Sequence, residues 1–183
     1  RRHRGGNHPN PVEATDSYFR VPAGGGVNSS IKDLTLWMIA QMGEDPEVLS
    51  DEVLETVHMP RAYTPGEMAR KRKFRERLNR ASYGLGWRVY DYEGHRVIGH
   101  HGGVTGYRSL IMFDPEKKSG VVALWNSGTS QRGGLEFEVM DMIFQLPPED
   151  WLGVEDPEFQ EKIARQRPLE AVEPLKSAPN IAS

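Results

Sequence analysis

Gly99-His100-His101-Gly102-Gly103-Val104-Thr105-Gly106-Tyr107-Arg108-Ser109 is the stretch on which the fold turns. Residues 96–101 read as a strand, residues 102–106 as a glycine-rich break, and residues 107–113 as the next strand. Neighbouring strand residues point to opposite faces, so His100 and His101 are poorly placed to share one metal ion. Neither a His-x-His pair nor a His-Glu-x-x-His helix accompanies them, and no metal site is expected. The glycines say more. They let another group approach the backbone and leave an N–H free to donate. A strand N–H facing a cleft is a usual source of oxyanion stabilisation in acyl transfer. On this run alone, a tight hairpin with two incidental histidines explains the pattern equally well.

Working outward, Leu85, Trp87 and Val89 alternate with Gly86, Arg88 and Tyr90, which predicts a half-buried strand beginning near Tyr83. Residues 91–94 form a turn, residues 114–120 another, and residues 120–125 a last strand. Four strands in meander order make an antiparallel sheet. Before them, Ser30 and Asp33 lead an apolar series (Ile31, Leu34, Leu36, Trp37, Ile39, Met42) that stops at Gly43, predicting an amphipathic helix of about three turns. A second helix is expected over residues 46–58, and a final one over residues 133–145 with Phe137, Met140, Ile143 and Phe144 inward. Helices, then strands, then a helix make an α+β class, an antiparallel sheet flanked by helices.

Residues 65–80 hold seven basic and two acidic side chains. They suit a phosphate-binding face, but the preferred reading is a solvated surface helix or insertion, because no aromatic platform accompanies the charges. Residues 1–26 read as loop or linker, residues 27–152 as the domain, and residues 153–183 as a tail, partly disordered. The opening Arg1-Arg2-His3-Arg4-Gly5-Gly6, without Met or an apolar leader, is read as part of a longer polypeptide. A net charge of −3 gives no global case for nucleic acid, no apolar run reaches the length of a membrane span, and the lack of cysteine excludes a disulfide framework, a thiolate metal site and a cysteine nucleophile.

The blocks in order are Pro22-Ala23-Gly24-Gly25-Gly26-Val27-Asn28-Ser29-Ser30, Tyr83-Gly84-Leu85-Gly86-Trp87, the His100-His101-Gly102 run, and Leu124-Trp125-Asn126-Ser127. Together they resemble the C-terminal half of the serine β-lactamase-related family: class C β-lactamases, related esterases and D-aminopeptidases, which share the penicillin-binding-protein fold. The resemblance covers roughly residues 15–152, with Asp150-Trp151 similar to family tails. That family places a nucleophilic Ser in S-x-x-K, a proton-transfer group in Y-x-N or S-x-N, and K-T-G on the strand lining the cleft.

Here His100-His101-Gly102 resembles the H-x-G variant of the third motif. The resemblance implies that His100 faces the substrate, that Gly102 keeps the strand accessible, and that the Gly103 N–H is one oxyanion donor. Asn126 is a candidate for substrate contact at the rim. Replacing Lys by His, whose ordinary pKa is about 6.5, weakens the hold on a substrate carboxylate near pH 7 and leans toward ester or peptide substrates over β-lactams.

Ser29-Ser30-Ile31-Lys32 does spell S-x-x-K, but it precedes His100 by only 71 residues, and Y-x-N and S-x-N are absent. It is read as a helix cap. The expectation is therefore the C-terminal portion of a serine hydrolase, inactive alone, needing no cofactor. Its partners would be a small ester or amide substrate and the missing N-terminal half or another chain. Relatives of this type mostly act outside the cytoplasm. The alternative is a binding module that kept the fold without the chemistry.

Overall fold

The structure is a computed structural model that describes residues 20, 24–25, 27–104, 106–126, 133–154 and 156–164. Of the expected linker 1–26, residues 1–19, 21–23 and 26 lie outside the described residues, as do Thr105, Ser127 and the end of the tail from 165.

Among the described residues, six strands form one antiparallel sheet in sequence order: β1 (Ala62–Tyr63), β2 (Leu78–Tyr83), β3 (Arg88–Tyr92), β4 (His95–Val104), β5 (Tyr107–Asp114) and β6 (Ser119–Trp125). The meander order is as the sequence implies, with two strands more. The β3–β4 hairpin closes through Glu93 and Gly94, both at positive φ (50° and 78°), the primed turn that matches the twist of its strands. The β5–β6 turn is held by Asp114, whose Oδ1 accepts the backbone N–H groups of Glu116 (2.7 Å) and Lys117 (2.9 Å).

Among the described residues, five α-helices accompany the sheet: α1 (Ile31–Gln41), α2 (Asp51–His58), α3 (Pro65–Arg70), α4 (Leu135–Phe144) and α5 (Pro157–Ala164). α1 begins as expected: Ser30 Oγ accepts the Asp33 N–H at 3.1 Å and donates to Asp33 Oδ2 at 2.8 Å, and Gly43 at φ 81° ends it. α2 starts at Asp51, not Pro46, because Ser50 is its cap. α5 lies within the expected tail.

Strand alternation sorts the core into two faces. On one, Leu78, Ala81, Tyr90, Tyr92, Val97, Leu110 and Met112 meet Phe137 and Met140 of α4, with Phe74 and Trp151. On the other, Val89, Ile98 and Phe113 meet Met38 and Met42 of α1. No helix among the described residues is long and apolar enough to cross a membrane.

Three further expectations are corrected. Leu85 and Trp87 are not in a strand. Residues 84–87 form a turn clamped to the end of α2: Leu85 N donates to Val57 O at 3.0 Å, and a Cβ on Gly84 would lie 2.5 Å from that same carbonyl. Gly86, at φ 81°, completes the turn. Alternation there reflected packing of Trp87 edge-on to His58 and Phe113, not a pleat.

The basic run is not one solvated helix. It comprises α3, a short 3₁₀ turn (Arg72–Phe74) and the start of β2, and two of its cations face inward. Lys71 Nζ meets Glu136 Oε1 at 3.1 Å, and Arg77 meets Asp141 at 2.5 Å, both with buried side chains. The third correction concerns the glycines: β4 runs straight through Gly102 and Gly103 to Val104 instead of breaking before them.

Candidate active site

β4 is longer than β3, and that mismatch builds the site. β3 covers β4 only from Tyr92↔His95 to Arg88↔Gly99, whereas β5 follows it to Val104↔Tyr107. Among the described residues, the outer edge of residues 100–104 therefore has no strand beside it. The closing pair of a two-residue hairpin exchanges both hydrogen bonds, and such pairs alternate along an antiparallel ladder. From Tyr92↔His95 the alternation passes through Val97 and Gly99, so His101 and Gly103 turn their N–H and C=O outward, past the end of β3. The β4–β5 hairpin, closing at Val104↔Tyr107, gives the same parity: His100, Gly102 and Val104 face β5.

The glycines have neighbours that explain them. A Cβ on Gly102 would lie 2.0 Å from Oγ of Ser109, its register partner. A Cβ on Gly103 would lie 2.8 Å from NH1 of Arg108, and that guanidinium donates to the Tyr107 carbonyl at 3.2 Å. Gly102 thus gives room to a cross-strand serine, and Gly103 gives room to the Arg108 guanidinium. Gly103, Arg108 and Trp125 stand in one register row, and Asn126 follows at the same end of the sheet.

The two histidines find different partners. His100 Nε2 is 3.1 Å from Tyr83 Oη, and Tyr83 in turn lies under the Arg88 guanidinium (5.3 Å). Burial lowers the pKa of His100; hydrogen bonding with the His101 backbone opposes this, and the charge of Arg88 adds to the lowering. The net effect favours the neutral imidazole at His100. His101 Nε2 instead meets Glu136 Oε1 of α4 at 3.0 Å. Burial disfavours the Glu136 carboxylate, but the His101 hydrogen bond and the Lys71 ammonium outweigh it and hold its pKa down to about 2.

Glu136 and Lys71 are the residues here that sequence reasoning missed. The signal was present: Glu136 lies four residues before inward Met140, and a carboxylate on a buried helix face demands a cation. Tyr83 was noted only as the start of a strand. Among the described residues, no group of His, Asp and Glu could hold a metal ion. At the S-x-x-K look-alike, Ser29 Oγ donates to the Ser30 carbonyl at 3.4 Å, and Lys32 is exposed.

Residues 1–141 match the Beta-lactamase family model, and the chain belongs to that family. It is 38% identical over 76 residues to the unguisins hydrolase ungD of Aspergillus violaceofuscus (strain CBS 115571), covering 40% of this chain and 13% of that protein. The unguisins hydrolase ungD' of Aspergillus campestris (strain IBT 28561) is 26% identical over 166 residues, 87% of this chain and 30% of its own length. Among solved structures, the octameric penicillin-binding protein homologue from Pyrococcus abyssi superposes with a TM-score of 0.55 at 24% identity, covering 74% of this chain and 28% of that one. The fold is thus of the penicillin-binding-protein and β-lactamase type, and the chain spans less than a third of each protein it matches.

Proposed function

We propose that this chain supplies the cleft-lining strand of a serine hydrolase that acts through an acyl-enzyme on an ester, an amide or peptide, or a β-lactam. The observation that carries the reading is the uncovered edge of β4, with the Gly103 N–H turned outward three residues beyond His100. In acyl transfer a serine adds to the carbonyl carbon, and the oxygen that becomes negative needs donors already in place. The Gly103 N–H is one donor, worth on the order of 10²–10³ in rate, and the N–H of the nucleophilic serine is the other. The names of the two fungal relatives, both hydrolases, support the assignment.

In this reading neither nucleophile nor proton-transfer group comes from residues 27–152, so the chain alone is inactive. His100 faces the substrate as a neutral imidazole, which favours esters and peptides over substrates anchored through a carboxylate. Asn126 lies at the rim. The remainder of the protein, or a second chain, covers the apolar side chains that α1 leaves in solvent: Ile31, Leu36 and Trp37.

The test is intact mass after a fluorophosphonate probe, on this chain and on the full-length polypeptide. The expected result is an adduct on the full-length protein only, at a serine before this chain. An adduct at Ser29 would make the S-x-x-K look-alike the nucleophile. No adduct on either would favour a binding module that kept the fold. Efficient cephalosporin hydrolysis at pH 8 would contradict the substrate preference.

A further inference from the structure

On the α1 side of the sheet, at the β3–β4 hairpin end, three arginines converge on one hollow. A pocket of about 430 Å³ is lined by Arg61, Tyr63, Arg80, Ser82, Asp91 and Arg96, among others. The register explains why they meet. Arg80 on β2 is opposite Asp91 on β3, and Asp91 is opposite Arg96 on β4, so all three share one face. Tyr63 on β1 is opposite Ser82 on β2, two residues along from Arg80 on the same face. Arg80 and Arg96 are two strands apart, about 9.5 Å between backbones, a span their side chains can close on a single ligand.

The carboxylate between them does not neutralise them. Asp91 turns along its own hairpin: its Oδ1 accepts from Asn79 Nδ2 at 3.2 Å and from Gly94 N at 3.1 Å. Among the described residues, none of Arg61, Arg80 and Arg96 has an ion pair within 4 Å. Arg61 donates to the Thr56 carbonyl at 3.2 Å, and Arg80 lies 5.4 Å over the ring of Tyr63. Three cations against one engaged carboxylate leave an excess of about two charges in a concave site. The Ser82 hydroxyl, almost wholly buried, sits at its floor. Like charges gathered in this way repel unless an anion sits among them. Guanidinium forks match phosphate oxygens two at a time, and a phosphate monoester carries −1.5 to −2 at pH 7, which fits that excess.

We propose that this pocket binds a phosphate monoester, its oxygens held by the Arg80 and Arg96 guanidiniums with Arg61 at the edge and the half-exposed Tyr63 ring against the ester group. The site lies about 23 Å along β4 from Gly103 and does not depend on the hydrolase reading. Only Arg80 comes from the basic run; the other two arginines come from the segment before β1 and from β4.

The test is calorimetric titration of the full chain with phenyl phosphate, inorganic phosphate and succinate at two salt concentrations. Saturable, salt-sensitive phenyl phosphate binding is expected. It should weaken about tenfold in Arg96→Gln and in Arg80→Gln, less in Arg96→Lys, and not at all in Arg75→Gln, which removes an exposed arginine outside the pocket. These are surface substitutions, and unchanged melting temperatures would show that the fold is intact. Absence of saturable phosphate binding, or binding untouched by the Arg80→Gln/Arg96→Gln double variant, would overturn the proposal. Succinate binding as tightly as phenyl phosphate would overturn the ligand class.

Discussion

The two faces of the sheet are built on different principles. The α4 face is closed by ions and aromatic rings: Asp141 accepts from Tyr92 (2.6 Å) and Trp151 Nε1 (2.6 Å) and pairs with Arg77, while Glu67 accepts from Tyr90 at 3.1 Å and Glu136 joins Lys71 to His101. Each of these three carboxylates has a donor from a different element, so the face locks α4 and the residue 71–77 segment in one arrangement. The α1 face has a small apolar core and one buried polar pair, His58 Nε2 to Gln41 Oε1 at 2.8 Å, which requires the proton on Nε2. Beyond that core, Leu36 and Trp37 remain about half exposed. One face is finished within the chain, and the other still presents apolar surface.

The largest effect should come from cutting the ionic face. Asp141→Ala strands the Arg77 charge and two phenol or indole donors, and a loss of about 3–5 kcal/mol is expected in urea unfolding. A loss below about 1 kcal/mol would mean that rings alone close this face.

Acidification should separate the faces next. Burial first, and the Arg96 charge second, lower the pKa of His58 from 6.5 to about 4. The unfolded chain then binds the proton more readily, so stability is whole above about pH 6.5 and falls as the pH drops toward 4, by at most on the order of 3 kcal/mol. Glu136, lowered to about 2, acts in a later window: its contribution is whole above about 4.5 and is lost as the pH falls through 2. Denaturation midpoints from pH 7.5 to 4 should fall in the native chain and flatten in His58→Leu. Parallel curves would remove His58 from the account.

Gly102→Ala should cost about 1 kcal/mol by pushing Ser109 out of its rotamer, and Ser109→Gly in the same chain should restore it. A cost that persists in the double variant would point to the backbone instead. The smallest stability effect is expected on the unfinished face. Leu36→Ser with Trp37→Ser should change stability by less than about 0.5 kcal/mol, yet reduce self-association of the isolated chain in sedimentation measurements. A large loss of stability would mean that α1 is already fully packed.

Much of this architecture was legible in sequence because the signals were local. The Ser30 and Asp33 cap, the Glu93-Gly94 turn and the apolar spacing of α4 each act within a few residues. What escaped was set by distant partners. Lys71 and Arg77 look like any surface cations until Glu136 and Asp141, more than sixty residues on, are packed over them. Gly84 looks like a strand residue until the end of α2 presses against it. At the site, the opposite facing of His100 and His101 followed from alternation, but their partners, Tyr83 and Glu136, did not. The open edge did not, because it depends on where β3 stops.

Residue-resolved amide hydrogen exchange on labelled protein tests the central claim directly. If β4 carries a cleft edge, the N–H groups of His101 and Gly103 should exchange at least about tenfold faster than those of His100 and Gly102, which pair with β5. Equal protection along residues 100–104, or fast exchange at His100 and Gly102 instead, would mean that the Gly103 N–H is not free to meet an oxyanion.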